Sequence, residues 1–270
     1  MMLIDIKSPN PQVLVNRSTK YPVIVCSHER SGTHFLINSI AENSAYSADH
    51  LLNFDLNPLA SFINFYDQEH ISNFLKNMTS INANNITYSL ASLIKTHHDS
   101  KFFEESFKIR KVKFLYILRD PYDTFVSLWK FINNFHWHEG KKTNSLFDFI
   151  TSPPEGQMMR YQVNSYKTYF DRWANHTSGW LKASQENNNI LVIRYKKLRD
   201  QYKSEIKKVL KFIDQPSYTS VEIKSPDREK FVWGGNKILN KKDASKSANY
   251  IKLNIKKYKI LSKAFPYYQF

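Results

Sequence analysis

A short β-rich apolar run, Val23-Ile24-Val25-Cys26, stops at a polar loop, Ser27-His28-Glu29-Arg30-Ser31-Gly32-Thr33-His34, and a helical pattern starts at once through Phe35, Leu36, Ile37 and Ile40. Strand, tight turn and helix in that order constrain this chain more than any other feature. The first N–H groups of a helix lack internal partners, and the helix dipole adds about half a positive charge there, so such a turn makes an anion site. An ordinary helix start capped by Ser31 or Thr33 accounts for the same residues without a ligand.

The loop departs from the Walker phosphate loop, which sets a lysine directly after its second glycine and then a hydroxyl for magnesium. Here Thr33 follows Gly32, the cation Arg30 comes two positions before the glycine, and Ser27 stands where the first Walker glycine would. A guanidinium gives forked donors to a tetrahedral oxyanion in place of a point charge.

Further strand patterns occur at 92–96, 112–118 and 190–195, with helical patterns between and after them at 159–182, 204–213 and, strongly basic, 251–261. Ile206, Val209, Leu210 and Ile213 form one apolar face of the second of these helices. After the 112–118 run, Asp120 caps a helix whose first residue is Pro121. Strands alternating with helices imply an α/β protein with a parallel sheet, in which ligands bind at the carboxyl ends of the strands. Residues 27–33, His97 and Arg119 all fall at such ends.

The 270 residues suffice for one domain with a full core. Within 1–270, residues 1–20 read as a lead-in arm, and 43–85 (with a helical piece at 68–78) and 135–157 as variable segments beside an acceptor pocket. Their aromatics, amides and histidines (His50, His70, His136, His138) suit a glycan, a phenol or a lipid headgroup equally. A net charge of +15 favours an acidic partner. The single cysteine, Cys26, excludes an intrachain disulfide and a cysteine-cluster zinc site. No apolar run reaches the length of a membrane span and no signal-peptide core opens the chain, so a soluble, cytoplasmic setting is expected.

Four segments carry motifs. Glu29-Arg30-Ser31-Gly32-Thr33-His34-Phe35 compares with P-K-S-G-T-T-W, and Lys95-Thr96-His97 with K-T-H. Arg119-Asp120-Pro121 through Ser127 keeps the spacing of R-[ND]-P-x-D-x-x-x-S, and the strand at 190–194 runs into Tyr195 as in a strand ending Y-E-D. Together they resemble the sulfotransferases that use 3′-phosphoadenosine 5′-phosphosulfate (PAPS), releasing the 3′,5′-bisphosphate PAP.

That resemblance implies a three-layer α/β fold like the P-loop proteins, with a central, mostly parallel sheet. It implies that Arg30, Ser31, Gly32, Thr33 and His34 hold the 5′-phosphosulfate, and that Arg119 and Ser127 bind the 3′-phosphate. Phe35 and Tyr195 would meet the adenine. His97 would be the general base, since imidazole titrates near neutrality, with Lys95 and Arg30 as catalytic cations. His98 follows directly; adjacent strand residues point to opposite faces, so one of the two histidines faces the cleft. Residues 173–180 match W-x-x-H-x-x-G-W, expected to position the strand of Tyr195 and the cofactor base. The family's R-K-G-x-x-G motif has no counterpart. Its nearest stretch, 231–235, contributes Gly234 as a candidate, with Arg228, Lys230 and Lys237 around it.

The function expected is sulfuryl transfer from PAPS to a hydroxyl or amine, without a metal. A nucleotide-binding but catalytically degenerate family member, a P-loop phosphotransferase and a basic nucleic-acid-binding protein are the alternatives. The chain has no helix-turn-helix, zinc or RNA-stacking signature, so nucleic acid is not an expected partner. The partners expected are the nucleotide donor and a small-molecule, glycan or lipid acceptor; the oligomeric state stays open.

Overall fold

A computed structural model describes residues 21–53, 69, 92–134, 138–215, 222–226 and 238–268. The lead-in arm, nearly all of the helical piece at 68–78, and the stretch around Gly234 lie outside the described residues.

Five strands, β1 (Val23–Ser27), β2 (Ser47–Asn53), β3 (Ser92–Thr96), β4 (Lys113–Leu118) and β5 (Ile190–Arg194), form one all-parallel sheet in the order β2-β3-β1-β4-β5. Helices α1 (Thr33–Glu42), α2 (Pro121–Asn134), α3 (Leu146–Thr151), α4 (Tyr169–Glu186), α5 (Tyr195–Asp200), α6 (Tyr202–Phe212), α7 (Lys241–Ile255) and α8 (Lys259–Ala264) are the α-helices among the described residues, accompanied by short 3-10 turns. The two-residue alternation of the strands splits the core into two layers. Ile24, Cys26, Ile94, Phe114 and Tyr116 face α2, α3, α4 and α7. Val23, Val25, Leu93, Leu115 and Ile117 face α1 and α6. The result is the expected three-layer α/β sandwich.

Central β1 pairs with β3 on one side and β4 on the other. The chain therefore builds the β2–β3 half first and then crosses back past β1. At such a switch point the flanking connections diverge and leave a crevice at the strand carboxyl ends.

Several expectations shift in detail. Residues 47–53, inside the segment expected to be variable, form the edge strand β2. Within 135–157, α3 buries Leu146, Phe149 and Ile150 through i, i+3, i+4 spacing. The Asp243 carboxylate caps this helix, accepting from the backbone N–H groups of Leu146 at 2.7 Å and Phe147 at 3.0 Å. The helix expected at 159–182 begins at Tyr169, because Thr168 Oγ1 accepts from Asp171 N at 3.0 Å and caps it there. Gln157–Tyr161 is instead a separate 3-10 turn. The final basic helix is two, α7 and α8, separated at 256–258. No described helix is long and apolar enough to cross a membrane.

Candidate functional site

β1 ends at Ser27, and its loop needs two left-handed residues to turn into α1: Arg30 with φ 63° and Gly32 with φ 102°. A Cβ on Gly32 would also stand 2.6 Å from Tyr195 Cε2. Glycine is thus required there twice, for conformation and for space. Ser27 Oγ and Thr33 Oγ1, 2.5 Å apart, tie the end of the strand to the start of the helix.

Two guanidiniums meet beside this turn. Arg30 Nε donates to Ser127 Oγ on α2 at 3.2 Å, and its guanidinium lies 4.7 Å over the Phe131 ring. Arg119, at the tip of β4, donates from Nη1 to the Arg30 carbonyl at 2.9 Å and stacks 4.8 Å over the Tyr195 ring. Burial and the neighbouring Arg119 charge lower the Arg30 pKa to about 10. Arg119 Nε is buried without a hydrogen-bond partner. Neighbouring like charges, with a buried donor left over, suit an anion with several oxygens. Ser127 thus contacts the loop arginine, and Arg119 braces the backbone of that same residue.

Phe35 stands edge-on to Tyr195 at 6.4 Å and tilted to Tyr202 at 5.8 Å. All three rings are half-buried, a ledge next to the turn that can take a flat base. His34 is exposed at the first turn of α1. The protein mass around it, and then Lys95 and Arg30, lower its pKa from 6.5 to about 4.

Lys95 lies within β3 and His97 directly after its last residue, close enough for the Lys95 charge to act on the imidazole. Both are buried, at 6% and 7% exposure. His97 Nδ1 sits 2.9 Å from the Ser27 carbonyl and 3.3 Å from Ser27 Oγ. A carbonyl only accepts, so this contact assigns the ring proton to Nδ1 and leaves the lone pair on Nε2. Burial first, and then the Lys95 charge, hold the His97 pKa well below 6.5. The His98 ring also stacks on Phe102 at 4.2 Å, and both histidines stand edge-on to Tyr161, His97 at 5.3 Å and His98 at 5.5 Å; burial lowers the His98 pKa to about 4.

Behind the loop lies a pair that the sequence reading missed. Arg172 in the first turn of α4 grips Glu29 through two bonds, Nη1 to Oε2 at 2.9 Å and Nη2 to Oε1 at 2.6 Å. The same Nη1 lies 2.9 Å from His28 Nε2. Burial alone would raise the Glu29 carboxyl, but Arg172 overrides it and holds the carboxyl well below 4.5. Burial takes His28 down to about 4. No motif links positions 143 residues apart, and Glu29 by itself reads as a solvated acid.

The 173–180 motif lies on α4, which packs on β5 before Tyr195, and it also reaches the segment after β3. His176 Nε2 lies 3.2 Å from the His97 carbonyl, and Trp180 Nε1 donates to the His98 carbonyl at 3.1 Å. A Cβ on Gly179 would meet Ser100 Oγ at 2.5 Å, so glycine lets α4 close onto the segment after β3. Trp173 packs against Phe125, Phe170 and Phe265 in the core. These hydrogen bonds tie the lysine–histidine segment to the same helix that packs on the strand of Tyr195.

A sequence profile of the sulfotransferase domain matches residues 20–253. The chain belongs to the sulfotransferase domain family. Among curated relatives, cytosolic sulfotransferase 16 of Arabidopsis thaliana is 27% identical over 219 residues, 77% of this chain and 57% of the relative. Sulfotransferase 2A2 of Mus musculus is 30% identical over 121 residues, 45% of this chain and 38% of the relative. The chain thus spans about half the length of the curated relatives it matches. A crystal structure of a mouse sulfotransferase, SULT7A1, complexed with PAP aligns at a TM-score of 0.47 and 15% identity, covering 90% of this chain and 67% of that one.

Proposed function

We propose that this sulfotransferase-family chain transfers a sulfuryl group from PAPS to an acceptor hydroxyl or amine, the acceptor being a small molecule, a glycan or a lipid headgroup. The observation that carries the reading is the facing pair Arg30 and Arg119 with the buried, unpartnered Arg119 Nε. Two fixed cations beside a helix start fit a donor that bears phosphate at both 3′ and 5′.

PAPS supplies an activated sulfuryl group when bound. Arg30, the N–H groups of the turn, Ser31, Gly32, Thr33 and His34 are assigned to its 5′ end, Arg119 and Ser127 to its 3′-phosphate, and Phe35 and Tyr195 to its base. His97 takes the acceptor's proton at Nε2. Its lowered pKa keeps it neutral at pH 7, so the base form is the resting form. Lys95 and Arg30 balance the negative charge that develops on the leaving oxygen. Gly234 keeps its place in the assignment by motif alone.

Calorimetry with adenosine 3′,5′-bisphosphate against ATP–Mg tests the donor assignment. Binding to the bisphosphate alone is expected, and binding to ATP–Mg alone overturns it. Arg119→Ala should weaken bisphosphate binding by about tenfold to a hundredfold, the equivalent of a charge-assisted hydrogen bond of about 1.5–3 kcal/mol. His97→Ala should keep that affinity and lose turnover by a factor of about 10²–10⁴; full turnover would remove His97 from the role of base.

A further inference from the structure

We propose that His176 and Trp180 of α4 are positioning residues for His97, fixing its tautomer and the direction of its Nε2 lone pair. The inference rests on the reading of His97 as the base, and goes beyond it to residues 79 and 82 positions away along the chain from the carbonyls they hold.

The sheet ladder ends at Thr96, whose register partner is Cys26. His97 and His98 therefore lie past the last ladder position, where backbone carbonyls need other partners. Both find them on one helix. His176 and Trp180 are four residues apart, so they stand one above the other on one face of α4. The Trp180 indole N–H can only donate, and it meets the carbonyl of His98. His176 Nε2 meets the carbonyl of His97, so it carries the proton of a ring that burial keeps neutral. Its Nδ1 is then an acceptor, 3.3 Å from a Tyr116 hydroxyl that is shared with Thr177 Oγ1, also at 3.3 Å. Trp180 is fixed in turn by stacking on the Tyr116 ring at 5.3 Å and 9°. Both side chains are buried, which leaves them little freedom to turn.

Two successive carbonyls held from one side fix the planes of the peptide units that follow His97 and His98. Those planes set where the Cα–Cβ bond of His97 points, and hence whether Nδ1 reaches the Ser27 carbonyl. If the His97 carbonyl is released, the peptide can rotate, Nδ1 loses its acceptor, and the proton redistributes between the two ring nitrogens. His176 and Trp180 thus act through the backbone of His97 without touching a reactant.

The test uses ¹⁵N-histidine-labelled full-length protein, with the His97 signals assigned by their loss in His97→Ala. His176→Leu, His176→Gln and Trp180→Phe are compared with wild type at neutral pH. In wild type and His176→Gln, whose side-chain amide can still donate to the carbonyl, His97 should show the single Nδ1–H tautomer. In His176→Leu both tautomers should appear in exchange, and Trp180→Phe, which keeps the stacked ring but loses the donor, should show the same mixing to a smaller extent. Binding of adenosine 3′,5′-bisphosphate should stay within about twofold in all three, less than the tenfold that 1.4 kcal/mol represents. Wild-type His97 signals in every variant that folds would overturn the proposal. The readout does not depend on turnover, so a failure of His97 as base would appear in the His97→Ala kinetics and leave this result standing.

Discussion

Gly32→Ala concentrates several of these arguments in one methyl group. An L-residue in the left-handed region costs about 1–2 kcal/mol, and φ at this position is 102°, on the far side of that region. The added Cβ would also lie 2.6 Å from Tyr195 Cε2, so the ring must move. Overpacking of this kind costs about 1–3 kcal/mol, and the total comes to about 2–5 kcal/mol. The ring is not free to move without consequence, because the Arg119 guanidinium stacks on it at 4.8 Å. Urea unfolding of Gly32→Ala, Tyr195→Ala and the double variant separates the two terms. Removing the ring should abolish the overlap but not the backbone strain, giving a coupling energy of about 1–3 kcal/mol. Calorimetry on Gly32→Ala should show bisphosphate affinity reduced at least about tenfold, since a turn strained by about 1.4 kcal/mol or more no longer aims its N–H groups as before. An additive cycle would refute the overlap. A single variant that unfolds and binds like wild type would refute the whole argument.

Breaking the buried Glu29–Arg172 pair gives a second prediction: Glu29→Gln should destabilise the fold by about 3–5 kcal/mol, because an uncompensated guanidinium stays buried, and chemical denaturation that shows no loss would contradict it. Acid stability gives a third. His28, His97, His98 and His176 are kept neutral by burial, with folded pKa values below 6.5. The unfolded chain takes up protons below 6.5 that the folded chain refuses, so stability should fall as pH drops from about 6.5 to about 4. The Glu29 carboxylate, depressed in the fold, adds a loss that begins only below 4.5. Urea midpoints measured across that range check the sign, and a midpoint that rose on acidification would refute it.

The strand–turn–helix at 23–36 was legible because each of its signals is local: apolar run, polar turn, glycine, helical spacing. Arg119 through Ser127 was legible for the same reason, whereas His97 and His98 lie just past the end of β3, where strand alternation no longer sets their faces. The capping threonine at 168 was equally local, and Thr168-Tyr169-Phe170-Asp171 places the start of α4 once it is read as a cap. The stretch upstream, Met159-Arg160-Tyr161, reads as a helix start but belongs to a 3-10 turn. The contacts of Arg172, His176 and Trp180 were not legible, because each is a long-range pairing of side chains that have ordinary roles on a helix. Periodicity can show which face of α4 is buried, but not that three polar side chains on it are matched to particular atoms of two other segments.

Arg172, His176 and Trp180 follow one another at intervals of four along a single stripe of α4, and they reach Glu29, His97 and His98 in turn. The helix therefore works as a ruler between the turn after β1 and the segment after β3. Its length and phase set the distance between the anion-holding turn and the histidine. One residue inserted or removed between 172 and 180 would rotate one end of the stripe by about 100° and uncouple the two segments, although every motif in them would still read correctly. Length variation in this fold is thus tolerable between elements but not inside α4, and a search for working variants should treat these nine positions as one unit with a fixed count.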